Sequence, residues 1–199
     1  MDNDSKMGIN PFTVDERFTL IASMKRGLPM LVIPPVLFVI VLEMNNLYLL
    51  EYLHVIVGSA WTGMDLVLGL FFSYVMNGLN NMERTRISMR LTPTMLFFMP
   101  SISSVTITAG IFLAIDLSLP FSSIYIIAAL AIATILFVQG IGIFLPNELR
   151  VYSEILHGAK DKDKIVRLTM FNLKLSLSQV IFQIAIIVLM AHFATGVPI

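Results

Sequence analysis

Long apolar runs alternate with short polar ones along this chain, and none of the runs shows the period-two alternation of a membrane β-strand. A bilayer core takes roughly 20 apolar residues per helix, with a range of about 17–25. Five stretches fit that requirement: about 28–42, 47–78, 92–115, 121–145 and 171–194. The first is short and interrupted by Pro29, Pro34 and Pro35. In the third, Pro93 suits a first turn and Pro100 predicts a kink. The fourth ends at Pro146. The pattern predicts an all-α, polytopic transmembrane helix bundle of about five spans.

Charge orients that bundle. The 13 Lys and Arg residues all fall on one side of a five-span arrangement. Lys6, Arg17, Lys25 and Arg26 precede the first span; Arg84, Arg86 and Arg90 lie between the second and third. Arg150, Lys160, Lys162, Lys164 and Arg167 lie between the fourth and fifth, and Lys174 sits just inside the fifth. Basic residues are retained in the cytoplasm, so the N-terminus is expected inside and the C-terminus outside. Residues 1–26 then read as a cytoplasmic arm rather than a cleavable signal, and residues 27–199 as one membrane domain. The inner loop, 147–168, is expected to hold a short amphipathic helix from Glu148 to Leu156, followed by a solvated run of alternating charge, Lys160 to Lys164. A multi-pass plasma-membrane protein is the expected setting.

Composition strengthens this picture. Hydrophobic residues make up 57% of the 199 and charged residues 13%, against about a quarter charged in soluble domains. With no cysteine, disulfides, thiolate metal sites and iron–sulfur clusters are excluded. The thirteen methionines are scattered, as expected of gap-fillers in apolar helices rather than soft copper ligands. No nucleotide, nucleophile–base or zinc-protease motif is present, and nothing points to nucleic acid.

Ionisable residues inside a span are functional candidates by default. At 100° per residue, Glu51, His54, Gly58, Trp61, Asp65 and Phe72 fall within an arc of about 80°. That stripe must face protein or a polar cavity. Asp65, near the middle of the second span, is a candidate proton-transfer group, cation ligand or interhelical hydrogen-bonding group. Trp61 either packs or stacks on a cofactor. His54 and His192 are expected at similar depth, about 13 Å from the midplane. Two opposed imidazoles at one level would suit haem b or a copper ion; the alternative is interfacial hydrogen bonding. His157 falls in the loop and is expected to be exposed. The hydroxyl and amide residues Ser101 to Thr108, and Asn172, Ser176, Ser178, Gln179 and Gln183, serve as packing contacts between helices or as a polar conduit.

The segment Leu53-His54-Val-Ile-Val-Gly-Ser-Ala-Trp61-Thr-Gly63 resembles the opening of CopD-like membrane proteins. That group includes copper-resistance CopD domains and, more distantly, HemJ-type protoporphyrinogen oxidases. Arg90 followed by Pro93 and Pro100, the run Thr106 to Gly110, and Gln179, Gln183 and Met190 also fit, over about residues 47–194. The resemblance implies a four-helix core with the first span added. It also implies haem b or copper handled by intramembrane histidines in some members, a role that His54 would inherit. The further histidines and basic residues of the HemJ type are not reproduced, so no oxidase activity is expected. Three functions follow as expectations: an accessory subunit of a larger membrane oxidoreductase complex, held among partner helices and lipid; a haem- or copper-binding protein in electron or metal transfer; or a small proton-coupled transporter using Asp65.

Overall fold

The computed structural model describes residues 14–195. Among these residues the chain forms long helices and no strand: α1 (Val14–Glu43), α2 (Leu47–Asn77), α3 (Asn81–Asp116), α4 (Ile124–Leu156) and α5 (Lys162–Thr195). Four of them, α2 to α5, are long and apolar enough to cross a membrane, and the apolar part of α1, Gly27–Glu43, is shorter. Large hydrophobic side chains cover the outside of the bundle, including Phe71, Tyr74, Ile124 and Ile181, all more than half exposed. Lipid is the environment such a surface fits.

The helices run further than their apolar stretches. α3 begins eleven residues before the expected Thr92, because Asn80 and Glu83 form a reciprocal capping box. Arg84, Arg86 and Arg90 therefore lie on a helix and not in a loop. Most of the expected 147–168 loop is helical too, and only His157–Asp161 interrupt it. Gly158 and Ala159 turn the chain there with φ of +89° and +50°. Asp161 then caps α5 through the Lys164 N–H (2.9 Å), and the Lys164 ammonium pairs with Glu154 at 3.1 Å.

Pro146 does not end the fourth helix. Val138–Phe144 winds as a π-helix, with the Leu145 N–H reaching back five residues to the Gly140 carbonyl, and Pro146 falls at the start of the α-helical turn that follows. Pro146 removes one backbone donor where the ladder shifts from the wide π spacing back to the α one. A second π segment, Val67–Phe72, interrupts α2. The Ser73 hydroxyl takes up the Gly69 carbonyl within it.

A proline in α1 is compensated by a neighbouring helix. Pro35 cannot donate to the Leu31 carbonyl four residues back, and Ser101 of α3 supplies the missing donor at 3.0 Å. α1 runs parallel to α3, since Gly27 abuts Pro93 and Phe97, Leu31 meets Ser101, and Phe38 meets Phe112.

α3 lies at the centre, packed on α1, α2, α5 and the second half of α4. The core follows this line through Leu50, Trp61, Leu68, Met95, Met99, Ile102, Ala109 and Leu136. The two halves of α4 behave differently. Leu145–Leu156 packs on both α3 and α5, whereas Ile124–Phe137 packs on α5 alone to any extent. That divergence, beginning at the π segment, opens a space between the first half of α4 and the α2–α3 pair.

Candidate functional site

The space is a cavity of about 440 Å³, within the range that holds drug-sized ligands. α2 contributes His54, Gly58, Trp61 and Thr62; α3 contributes Thr106 and Gly110; α4 contributes Ala129, Ala133 and Phe137; α5 contributes Gln183, Ile187 and Met190. Its wall is mainly apolar, with a few polar groups among the lining residues, including His54, Thr106, Thr134 and Gln183.

Small residues make room for the histidine. A Cβ at Gly110 would lie 2.9 Å from His54 Cε1, so only glycine admits the ring against α3. His54 Nδ1 then lies 2.9 Å from the Thr106 carbonyl. A carbonyl can only accept, so Nδ1 carries a proton, and in the neutral ring Nε2 keeps its lone pair. The Thr106 hydroxyl is committed to the Ile102 carbonyl at 2.7 Å.

Asp65 lies behind the cavity wall, fully buried. Gln183 joins the two, lining the cavity and donating through Nε2 to Asp65 Oδ2 at 2.8 Å. Trp61 and Ser176 border the same carboxyl, while Asp65 Oδ1, Ser176 Oγ and Gln183 Oε1 have no protein hydrogen-bond partner. The stripe expected from helical periodicity thus faces protein along most of its length. Glu51, at its end, is exposed.

His192 stands apart from this arrangement. Its ring stacks on Tyr125 of α4, centroids 4.0 Å apart. On α5 it lies nine residues past Gln183, half a turn round the helix, away from the face that Gln183, Ile187 and Met190 present to the cavity. Ser178, on the same side as His192, accepts from Gln139 of α4 at 3.3 Å. Ser178 and His192 thus serve the α4 contact, while Lys174 on the same face is exposed. The expectation of similar depth left facing open: His54 lines the cavity and His192 is not among its lining residues. Among the described residues no group of three or more His, Asp or Glu could hold a metal ion. Trp61 is 5% exposed and packs in the core beside the cavity.

A second buried carboxyl escaped the sequence reading. Glu148, expected on a loop helix, is 4% exposed. Asn172 of α5 donates to its Oε1 at 2.8 Å and also contacts the Asn147 amide at 3.1 Å. Thr92 of α3 borders the carboxyl, and Glu148 Oε2 and Thr92 Oγ1 have no protein partner. Helical geometry held the clue, because Asn147, Glu148, Val151 and Ile155 share an arc of about 100°. Glu148 therefore belongs to the apolar face of its amphipathic helix. That face packs against α3 and α5 around Val151, Ile155 and Ile165.

No family model, curated protein or solved structure matches this chain. The likeness to CopD-like proteins rests on the quoted residues alone.

Proposed function

We propose that this chain is a small proton-coupled membrane transporter for a compact, mostly apolar molecule that bears hydrogen-bond donors. One observation carries the proposal: Gln183 both lines the cavity and holds the fully buried carboxyl of Asp65. A carboxyl buried in a membrane span is costly to keep, and here it is one side chain away from a ligand-sized space. The His54 Nε2 lone pair makes that wall an acceptor, so amines are the cargo class it fits best. In this scheme the Asp65 carboxyl releases its proton to water on the side from which the amine enters and takes one up from water on the side to which the amine leaves.

The proposal includes a five-span topology with the N-terminus inside. The apolar part of α1 has 17 residues, at the short end of the spanning range, and the parallel pairing of α1 with α3 supports counting it as a span. The basic residues of early α3, late α4 and early α5 gather at one end, where Asn81 bonds Asp163 at 3.2 Å, in keeping with basic loops held inside. Because the chain has no native cysteine, single introduced cysteines give a clean labelling map of the two faces.

Uptake of a series of radiolabelled arylalkylamines into reconstituted vesicles under an imposed pH gradient tests the function. Uptake above that of protein-free vesicles, reduced at least tenfold in a folded Asp65→Asn variant, is expected. Equal uptake in that variant would remove Asp65 from the mechanism. No uptake of any amine, together with partner proteins co-purifying in fixed ratio, would instead favour the accessory-subunit role.

A further inference from the structure

The two buried carboxyls are built alike. Each has one oxygen held by an α5 amide, Gln183 for Asp65 and Asn172 for Glu148. Each also has a buried hydroxyl within interacting reach, Ser176 for Asp65 and Thr92 for Glu148, although neither pair closes a well-aligned hydrogen bond. Each carboxyl also lies close in sequence to a π segment: Asp65 two residues before Val67–Phe72, Glu148 four residues after Val138–Phe144. Single π turns recur at functional sites.

A polar row on α5 runs past both. Thr169, Asn172, Ser176, Gln179 and Gln183 are each at most 2% exposed and fall within an arc of about 80° on α5. They form one continuous buried polar row on α5. Asn172, which holds Glu148, is four residues from Ser176, which borders Asp65, a rise of about 6 Å. Thr169 Oγ1 on the same row also has no protein partner. Packing contacts alone would not require this, because hydroxyls in membrane helices are usually satisfied by the carbonyl a turn back. Thr85 and Ser88 of α3 are satisfied in that way. Unpaired buried hydroxyls and carboxyl oxygens in a row are instead what internal water bridges.

From this we propose that Glu148 is the entrance station of a proton path that runs along the polar row of α5 to Asp65. A proton arriving from the end of the bundle where Arg150 donates to Asn147 (3.2 Å) binds Glu148 Oε2. The hydroxyls of Thr92 and Ser176, with bridging water, carry a proton on to Asp65 as each acceptor releases one in turn. Asp65 thereby exchanges protons with the Arg150 end while the cavity side is occupied. The role in transport rests on the carrier proposal, but the path can be tested without any cargo.

Time-resolved infrared spectroscopy on proteoliposomes sorted for orientation provides the test. The Asp65 carboxyl band is assigned by its loss in Asp65→Asn, and acid is then delivered to the Arg150 face. Glu148→Gln should slow the Asp65 response at least tenfold, and Glu148→Asp should restore part of the rate. Ser176→Ala, which leaves Glu148 in place, should slow Asp65 while the Glu148 band responds as before; this variant decides the matter should Glu148→Gln fail to fold. Wild-type response of Asp65 in Glu148→Gln or in Ser176→Ala would overturn the path and leave the carrier proposal standing. An Asp65 band unresponsive from either face would overturn both.

Discussion

Asp65 and Glu148 make an instructive pair, because they share a construction and differ in how visible they are from sequence. Both are buried, both are held by an α5 amide, and both leave one carboxyl oxygen unpaired. Asp65 lies deep inside an apolar stretch, where any charge stands out. Glu148 lies two residues past Pro146, where a span is ordinarily taken to end, so its surroundings read as loop. A π-helical turn at Val138–Phe144 precedes the proline, and α4 continues through it. A π turn has no marker in hydropathy. The lesson is that an apolar stretch bounds the lipid-facing length of a helix and says little about where its buried polar face stops.

The two π segments offer the largest expected effect. A Cβ at Gly69 would lie 2.7 Å from the Leu177 backbone nitrogen, so Gly69→Ala must push α2 away from α5. A loss of about 3 kcal/mol is expected, at the upper end for overpacking, read as a lower unfolding temperature in detergent. At Gly140 the nearest atom is 3.9 Å away, the Gln179 amide, so Gly140→Ala should be close to neutral. Equal losses at the two glycines would mean that the α2–α5 seat is no tighter than that of α4.

A smaller effect separates the amides. Asn172→Leu strips Glu148, Asn147 and the Phe144 carbonyl of a partner and should cost about 2 kcal/mol, whereas Gln183→Leu removes one bond to Asp65 and should cost about 1 kcal/mol. The same unfolding measurement ranks them. A reversed order would show that the Glu148 cluster is the more loosely held of the two.

Much of the architecture was legible before any coordinates. The expected second span, 47–78, matches α2, Leu47–Asn77, to within a residue, because lipid exposure imposes length and hydropathy directly. The stripe of His54, Gly58, Trp61 and Asp65 turned inward for the same reason: α2 cannot present a carboxylate to lipid. The partner of His54 was not legible. Its contacts are a backbone carbonyl and a glycine on α3, neither of which has a sequence signature, and His192 was matched to it on depth without azimuth. The cavity was equally hidden, since it arises from where α4 diverges from α2 and α3.

Trp61 gives the most direct test of the central claim that Asp65 exchanges protons at the cavity. It is the chain's single tryptophan, it lines the cavity and it borders the Asp65 carboxyl. Its fluorescence in reconstituted protein should titrate with pH and change again when a transported arylalkylamine is added, and the pH response should vanish in Asp65→Asn. Emission that stays constant across the titration in the native chain would contradict the account, leaving Asp65 a structural group that never gives up its proton.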